Sequence, residues 1–386
     1  GCEFSNKLKI LYSNVHSIVN KIDELNHVSI ELKPDIVCIS ESWTNNDILD
    51  AFLKMYGYNI LCRQDRKDTT KGIGGGLLIY VKENITASEI HDESFDKYNQ
   101  CCAININTNN NESLNILLVY RPHNLYDDND VKENNSLLCE LLRKLPKPYI
   151  VVGDFNFSSI DWDTLTGDLK SREFLSTVQD LFLTQHIEFP THLSGTMPDL
   201  VLSSNANLII STEDEGPLGS SDHTMISIIV RVSVVSKSKK ENVKDWRKAD
   251  FKAIKSAINN VKWQEVFDNQ GTQECWDRFS DILNRAVEDN VPTKPARKGG
   301  KPLWMQRNIM RIIRRKRRLW SHYKDTKDHQ DYQAYKQAEA GVKKAVRNAK
   351  KQFEKKLSKD AKKNPKAFCF GGELTFKTPI SLSGAL

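Results

Sequence analysis

The 386-residue chain reads as an α/β protein: a two-sheet β-sandwich flanked by helices, followed by a basic all-α extension. Three observations lead there. Short apolar runs rich in β-branched residues recur through the first 232 residues, and each closes on a polar side chain. A few stretches between them carry apolar residues at helical spacing. The charge is split: residues 1–232 hold 19 Lys and Arg against 33 Asp and Glu, a net of −14, whereas residues 233–386 hold 37 against 17, a net of +20. An acidic body joined to a basic extension suits a catalytic domain helped onto a polyanion; a solvated helical tail without a partner is the plainer alternative.

The elements follow in order. Residues 8–13 (L-K-I-L-Y-S) form a strand that delivers Asn14. Val19, Ile22, Leu25, Val28 and Leu32 mark a helix over 19–32, stopped by Pro34. Residues 35–40 are a fully apolar strand, and Glu41 follows it directly. The glycines of 72–76 precede a strand at 77–82 rather than a helix, which rejects a dinucleotide fingerprint and leaves a turn close to backbone or ligand. Strands continue at 101–106 and 114–120, the second ending in Tyr120 and Arg121, and a helix spans 131–145.

Residues 149–156 (Y-I-V-V-G-D-F-N) then place Asp154 and Asn156 at a strand end, where the pleat turns both side chains the same way. In isolation an Asx-turn after a core strand reads the same. A helix at 171–183, the strand 200–202 opened by Pro198-Asp199, and Ser221-Asp222-His223 before the strand 225–232 complete the body.

Beyond 232 come a charged linker, helical stretches at 251–258 and 275–287, and the segment 311–318, in which six of eight residues are Arg or Lys. A long amphipathic helix over 332–363 calls for a partner, most simply 309–323 folded back on it. Eight scattered cysteines without C-x-x-C spacing suit reduced, intracellular thiols. No apolar run approaches the roughly 18 residues of a membrane span. The chain opens on Gly1 rather than Met, as a fragment or an incomplete gene would.

Collected, the strand-end residues are Asn14, Glu41, Tyr120, Asp154, Asn156, Asp199, Asp222 and His223. Phosphodiester hydrolysis with a hard metal needs this set. Glu41 and Asp222 are oxygen ligands for Mg²⁺ or Mn²⁺. Asp154 can orient and deprotonate water, and His223 backed by Asp199 can stabilise the charged phosphorus centre. Each has a bland reading alone; eight coinciding at strand ends is harder to explain that way.

With these residues in place, the sequence resembles the endonuclease/exonuclease/phosphatase family, and within it the endonuclease of non-LTR, jockey-like retrotransposons. The resemblance covers residues 7–232. It rests on P-D-I-V-C-I-S-E-S-W (34–43), G-G-G-L-L-I-Y-V (74–81), V-Y-R-P (119–122), G-D-F-N (153–156), P-D-L-V-L (198–202) and S-D-H (221–223) in this order. It implies a deoxyribonuclease I-like fold, Glu41 as principal metal ligand assisted by Asn14 and Asp222, Tyr120 and Asn156 on the phosphate, and Asp199 paired with His223. Repair-type members carry Asp two residues after the strand-end Asn, where this chain has His16, which argues against abasic-site repair.

The expectation is therefore a Mg²⁺-dependent DNA endonuclease, with Mn²⁺ as substitute, in a nuclear, intracellular setting with no membrane partner. Arg121 and the cluster Arg311, Arg314, Arg315, Lys316, Arg317 and Arg318 would contact nucleic acid, RNA included. An inactive nucleic-acid- or chromatin-binding relic, and a phosphatase or phospholipase of the same fold, are the alternatives. The expected layout is a catalytic domain at 7–232, a linker at 233–249, a basic helical region at 250–366 and a divergent, unstructured tail at 367–386. The extension resembles the segment that leads to a reverse transcriptase, but no paired polymerase aspartates occur in it, as in an element copy that lost its polymerase.

Overall fold

Strand pairing turns the spacing of polar residues into geometry. The computed structural model describes residues 7–66, 74–98, 100–108, 112–122, 128–234, 242–268, 271–295 and 304–360; the tail at 367–386 lies outside them. Contacts divide the chain into two units, one of residues 1–237 with 301–386 and one of residues 238–300.

In the first unit the order is β1 (Leu8–Asn14), α1 (Ile22–Leu32), β2 (Ile36–Ser40), β3 (Tyr58–Gln64), β4 (Leu77–Lys82), β5 (Ala87–Glu89), α2 (Glu93–Tyr98), β6 (Cys101–Asn107), β7 (Ser113–Tyr120), α3 (Asp128–Lys144), β8 (Tyr149–Asp154), α4 (Arg172–Asp180), β9 (Thr184–Gln185), β10 (Asp199–Ser203), β11 (Ile209–Pro217) and β12 (Thr224–Val230). They form two six-stranded sheets, ordered β11-β12-β1-β2-β4-β3 and β5-β6-β7-β8-β10-β9. Each sheet has one parallel pair, β1 with β2 across α1 and β7 with β8 across α3, and the other pairs are antiparallel. A parallel pair joined by a helix brings both strands' C-terminal ends to one rim.

The period-2 pleat sorts the core. Ile10, Tyr12, Ile36, Cys38 and Ile79 of one sheet meet Ile104, Ile116, Leu118, Ile150 and Val152 of the other between the layers. The alternate positions Leu11, Val37, Ile39 and Tyr80 pack under α1 through Leu25 and Val28. Leu117, Val119 and Val151 pack under α3 and α4 through Leu138, Leu142 and Phe174. Strands buried on both faces explain the continuous apolar runs in the sequence. The expected helix at 19 starts later, at Ile22, because Val15, Ser17 and Ile18 donate their amides to the carbonyls of Ser40, Glu41 and Ser42. β3, β5, α2 and the polar edge strand β11 carry no clear signal in the sequence.

The second unit holds β13 (Asn242–Lys244) paired with β14 (Thr293–Pro295), and α5 (Phe251–Asn259), α6 (Trp263–Phe267) and α7 (Thr272–Asn290). Its small core is Ile254, Ala286 and Val291.

Of the C-terminal stretch, the described residues 304–360 fall in the first unit by contact, with the two-sheet body. α8 (Arg307–Thr326) and α9 (His329–Asp360) form the expected antiparallel pair, with Ile309, Ile313 and Val342 between them and Trp320 against Tyr335 at 4.9 Å between ring centroids. The reason for this grouping is the other side of α8. Lys316 pairs with Glu24, Arg317 with Glu31 at 3.3 Å and with Glu215, and Trp304 packs on His27 of α1. The basic helix docks on the acidic body.

Candidate active site

Register assembles the site. Asn14 closes β1 opposite Ser40, with Glu41 next in the chain. Tyr120 closes β7 opposite Asp154 at the end of β8, and Asp154 in turn faces Asp199 at the start of β10. His223 stands at the mouth of β12, bridged to His192. The expected strand-end residues thus come from both sheets and meet at one rim.

One half of the rim is buried and closely bonded. The ligand atoms of Asp154, Asp199 and His223 lie within 4.8 Å of one another. His223 Nδ1 is 2.7 Å from Asp199 Oδ2, while Tyr12 Oη donates to Asp199 Oδ1 at 2.7 Å and Asp199 N donates to Thr191 Oγ1 at 3.2 Å. Burial opposes charge on His223, but the charge and hydrogen bond of Asp199, with Asp154 and Asp222, prevail and push its pKa up to about 9. Burial first, then the charges of Asp199 and Glu41, drive the Asp154 carboxyl well above the usual carboxylate range, against the pull of His223 and Asn14. Burial first, then the charges of Glu41 and Asp154, push the Tyr120 phenol well above its ordinary range.

The other half is built around a residue whose part the sequence did not disclose. His16 Nε2 lies 3.2 Å from Glu41 Oε2 and His16 Nδ1 lies 3.0 Å from Asp222 Oδ1, so the imidazole spans the two expected metal ligands. It stacks on Trp43, with centroids 5.8 Å apart, and Trp43 Nε1 donates to Glu41 Oε2 at 3.2 Å. Asp222 Oδ2 is 3.1 Å from His192 Nε2. The hydrogen bond to Glu41 raises the pKa of His16 against the effect of burial. Burial disfavours the Glu41 carboxylate, yet His16, Asn14 and Trp43 outweigh it and hold its pKa down at about 2.

Asn14 links the halves: its Nδ2 donates to Glu41 Oε1 at 3.1 Å and to Asp154 Oδ2 at 3.0 Å. Its side-chain oxygen, which accepts from His16 N at 3.4 Å, is the atom left for the expected assisting role on a cation. Backbone strain gathers here too. Among the described residues, five of the nine non-glycine ones at positive φ are His16, Ser17, Glu41, Trp43 and Asn156, a conformation that costs roughly 1–3 kcal/mol each and persists where the surroundings impose it.

Glu41 and Asp222 lie on either side of the His16 ring, and Asp222 also reaches His192 Nε2 at 3.1 Å. With the Asn14 oxygen they are hard oxygen donors of the kind a divalent cation takes, and would hold one once the ring moved from between them.

Several expected contact residues already have partners within the protein. Arg121 faces inward: it is buried, its guanidinium lies 4.2 Å above the Phe157 ring, and its Nε donates to Asn135 Oδ1 at 2.9 Å. Asn156 spends its Nδ2 on the Arg121 carbonyl at 2.8 Å, leaving the side-chain oxygen for other partners. Of the basic cluster, Lys316 and Arg317 are taken up by the acidic body, whereas Arg311, Arg314, Arg315 and Arg318 are exposed. Residues the sequence reading missed are Tyr12, His16 as a bridging group, and His192; an isolated Tyr or His in or beside a strand carries no signal of its own.

No curated protein sequence matches the chain. Among solved structures, the endonuclease domain of TRAS1, a telomere-specific non-LTR retrotransposon, is 15% identical, with 59% of this chain and 99% of that one aligned at a TM-score of 0.46. AP endonuclease LMAP from Leishmania major is 16% identical over 58% and 88% of the two chains, at a TM-score of 0.47. A 3' phosphatase, NExo, from Neisseria is 16% identical over 57% and 98%, at 0.43. The sequence profile of the Endonuclease/Exonuclease/phosphatase family matches residues 11–223, more than half of the chain and a span that holds every strand-end residue from Asn14 to His223; the chain belongs to that family.

Proposed function

We propose that the protein is a divalent-metal-dependent endonuclease that nicks DNA, of retrotransposon descent. The observation that carries the reading is the Asp154–Asp199–His223 cluster tied through Asn14 to Glu41. The six ordered motifs support the descent, and the chemistry of the rim supports the reaction.

Asp154, in its carboxylate form, takes the proton of the attacking water. His223, held as imidazolium by Asp199, presents its Nε2–H to the phosphate oxygen on which charge builds. Tyr120 stays a phenol and donates to another phosphate oxygen. A cation held by Glu41, Asp222 and the Asn14 oxygen supplies Lewis-acid neutralisation of charge on the phosphate and leaving oxygens when bound.

DNA is held on the basic helix. Arg307, Arg311, Arg314, Arg315 and Arg318 recur along one exposed side of α8 over about 16 Å, and none of them takes part in the ion pairs among the described residues. Such a row neutralises phosphates without reading sequence. Conversion of supercoiled plasmid to open circle by the full chain tests the reading. Asp154→Ala should abolish nicking while leaving the protein folded, and undiminished nicking by that variant would overturn the mechanism.

A further inference from the structure

The part of the protein that steadies the Asp222–His223 loop lies about 100 residues further along the chain. Asp214, near the end of β11, accepts at Oδ1 from Gly216 N at 2.8 Å, from Thr224 Oγ1, and from Trp320 Nε1 of α8 at 3.2 Å. Thr224 directly follows His223. Lys324 Nζ donates to the Asp214 carbonyl at 2.6 Å, and Arg317 pairs with the neighbouring Glu215. Gly216 has φ +81°, and a Cβ there would come within 2.8–2.9 Å of the Trp320 ring, so the buried indole lies flat on the backbone of the strand end.

The same helix reaches the opposite shoulder of the site. Buried Lys316 pairs with Glu24 in the first turn of α1, and Glu24 lies with Lys21 against Gly219 of the catalytic loop. Lys21 Nζ donates to the carbonyls of Val15 and His16, the latter at 2.9 Å, and so fixes the segment that carries His16 past Asn14. Two routes thus run from one face of α8 to the two loops whose side chains form the rim, one ending at Asp222–His223 and one at Asn14–His16.

We propose that α8 is a positioning element of the catalytic centre, with Trp320 and Asp214 as positioning residues that set Asp222 and His223 through Thr224. In substance, the basic helix has two faces with two tasks: the arginine row holds polyanion, and the Lys316–Arg317–Trp320–Lys324 face holds the loop. A helix that only supplied affinity would not need an indole seated on a glycine beside the catalytic loop. Misplacement by about 1 Å at a catalytic centre typically costs on the order of 10²-fold in rate, so loss of the seat should be read in turnover rather than in binding.

The proposal rests on the endonuclease reading for its kinetic arm only. Trp320→Ala, Trp320→Phe and Asp214→Asn are made in the full chain and compared in nicking kinetics and in amide hydrogen exchange over 216–224. Trp320→Ala should lower kcat by roughly 10- to 100-fold with KM changed less than about threefold, and speed exchange in that loop while the β1 and β8 amides keep their protection. Trp320→Phe, which keeps most of the packing, should recover a large part of the loss, and Asp214→Asn should reproduce it should Trp320→Ala prove unable to fold. Unchanged kcat together with unchanged loop exchange in the variants would overturn the proposal, as would a loss confined to KM. If the wild type itself fails to nick DNA, the endonuclease reading falls while the exchange measurement still decides the seat.

Discussion

The two halves of the rim are built on different principles. Around His223, Nδ1 meets buried Asp199 at 2.7 Å, and Tyr12 and Thr191 in turn fix Asp199, so the imidazole is held in one orientation with Nε2 left for a ligand. Around His16, a half-exposed ring stands between the carboxylates of Glu41 and Asp222, and the backbone is left-handed at His16, Ser17, Glu41 and Trp43. The proposed reaction assigns proton transfer to the first half and cation binding to the second. A buried, satisfied network is rigid, while a strained one is poised for a ligand.

The largest expected effect lies where the halves meet. Asp154→Ala removes the proton acceptor and the tie to Asn14 together, and the nicking rate should fall by about 10³-fold or more, the size of a lost transition-state group. Within the first half, Asp199→Asn and His223→Ala should each lower kcat by roughly 10²-fold with DNA affinity little changed, and the double variant should be no worse than the poorer single one. Additive losses would mean that the two residues do not act as a unit.

The same pair makes stability depend on pH. The folded-state pKa of His223, about 9, lies above the unfolded value of about 6.5, so its contribution is fully present below 6.5 and is lost as pH rises through 9. That contribution is on the order of 3 kcal/mol. Urea unfolding of wild type and Asp199→Asn should therefore differ most near pH 6 and converge above pH 9; a constant gap would show that the pair does not titrate with folding.

In the second half, His16→Ala removes the ring that stands between Glu41 and Asp222, and Mg²⁺ affinity measured calorimetrically should rise by about tenfold. A fall instead would make the imidazole a ligand and dissolve the contrast between the halves. α8 repeats the contrast at a larger scale, and its smallest test is Arg314→Ala. That change should weaken DNA binding a few-fold and reduce the salt slope by about 1, leaving kcat alone. An altered kcat with an unaltered slope would break the division between the two faces of the helix.

Much of the first half was legible from the sequence because strand ends are. A run such as I-V-V-G-D-F-N fixes where the pleat stops, and register does the rest: Tyr120, Asp154 and Asp199 are neighbours because β7, β8 and β10 pair as they do. What stayed hidden depends on partners remote in the chain or on backbone that periodicity does not encode. Arg121 looks exposed after its strand until Asn135 and Phe157 close over it. Lys316 and Trp320 look like members of a solvated basic helix until Glu24 and Asp214 arrive from 292 and 106 residues away. β11, rich in Glu and Asp, does not alternate as a buried strand does, so the edge that receives α8 gave no signal.

The central claim is that these two halves together hydrolyse phosphodiester bonds with a divalent cation. The direct measurement is the rate of open-circle formation from supercoiled plasmid by the full chain, first in EDTA and then with Mg²⁺ restored in excess. The account predicts no nicking in EDTA and recovery of a rate that Glu41→Gln lowers by about 10²-fold or more. Nicking that continues at the same rate in EDTA, or that Glu41→Gln leaves untouched, would contradict it.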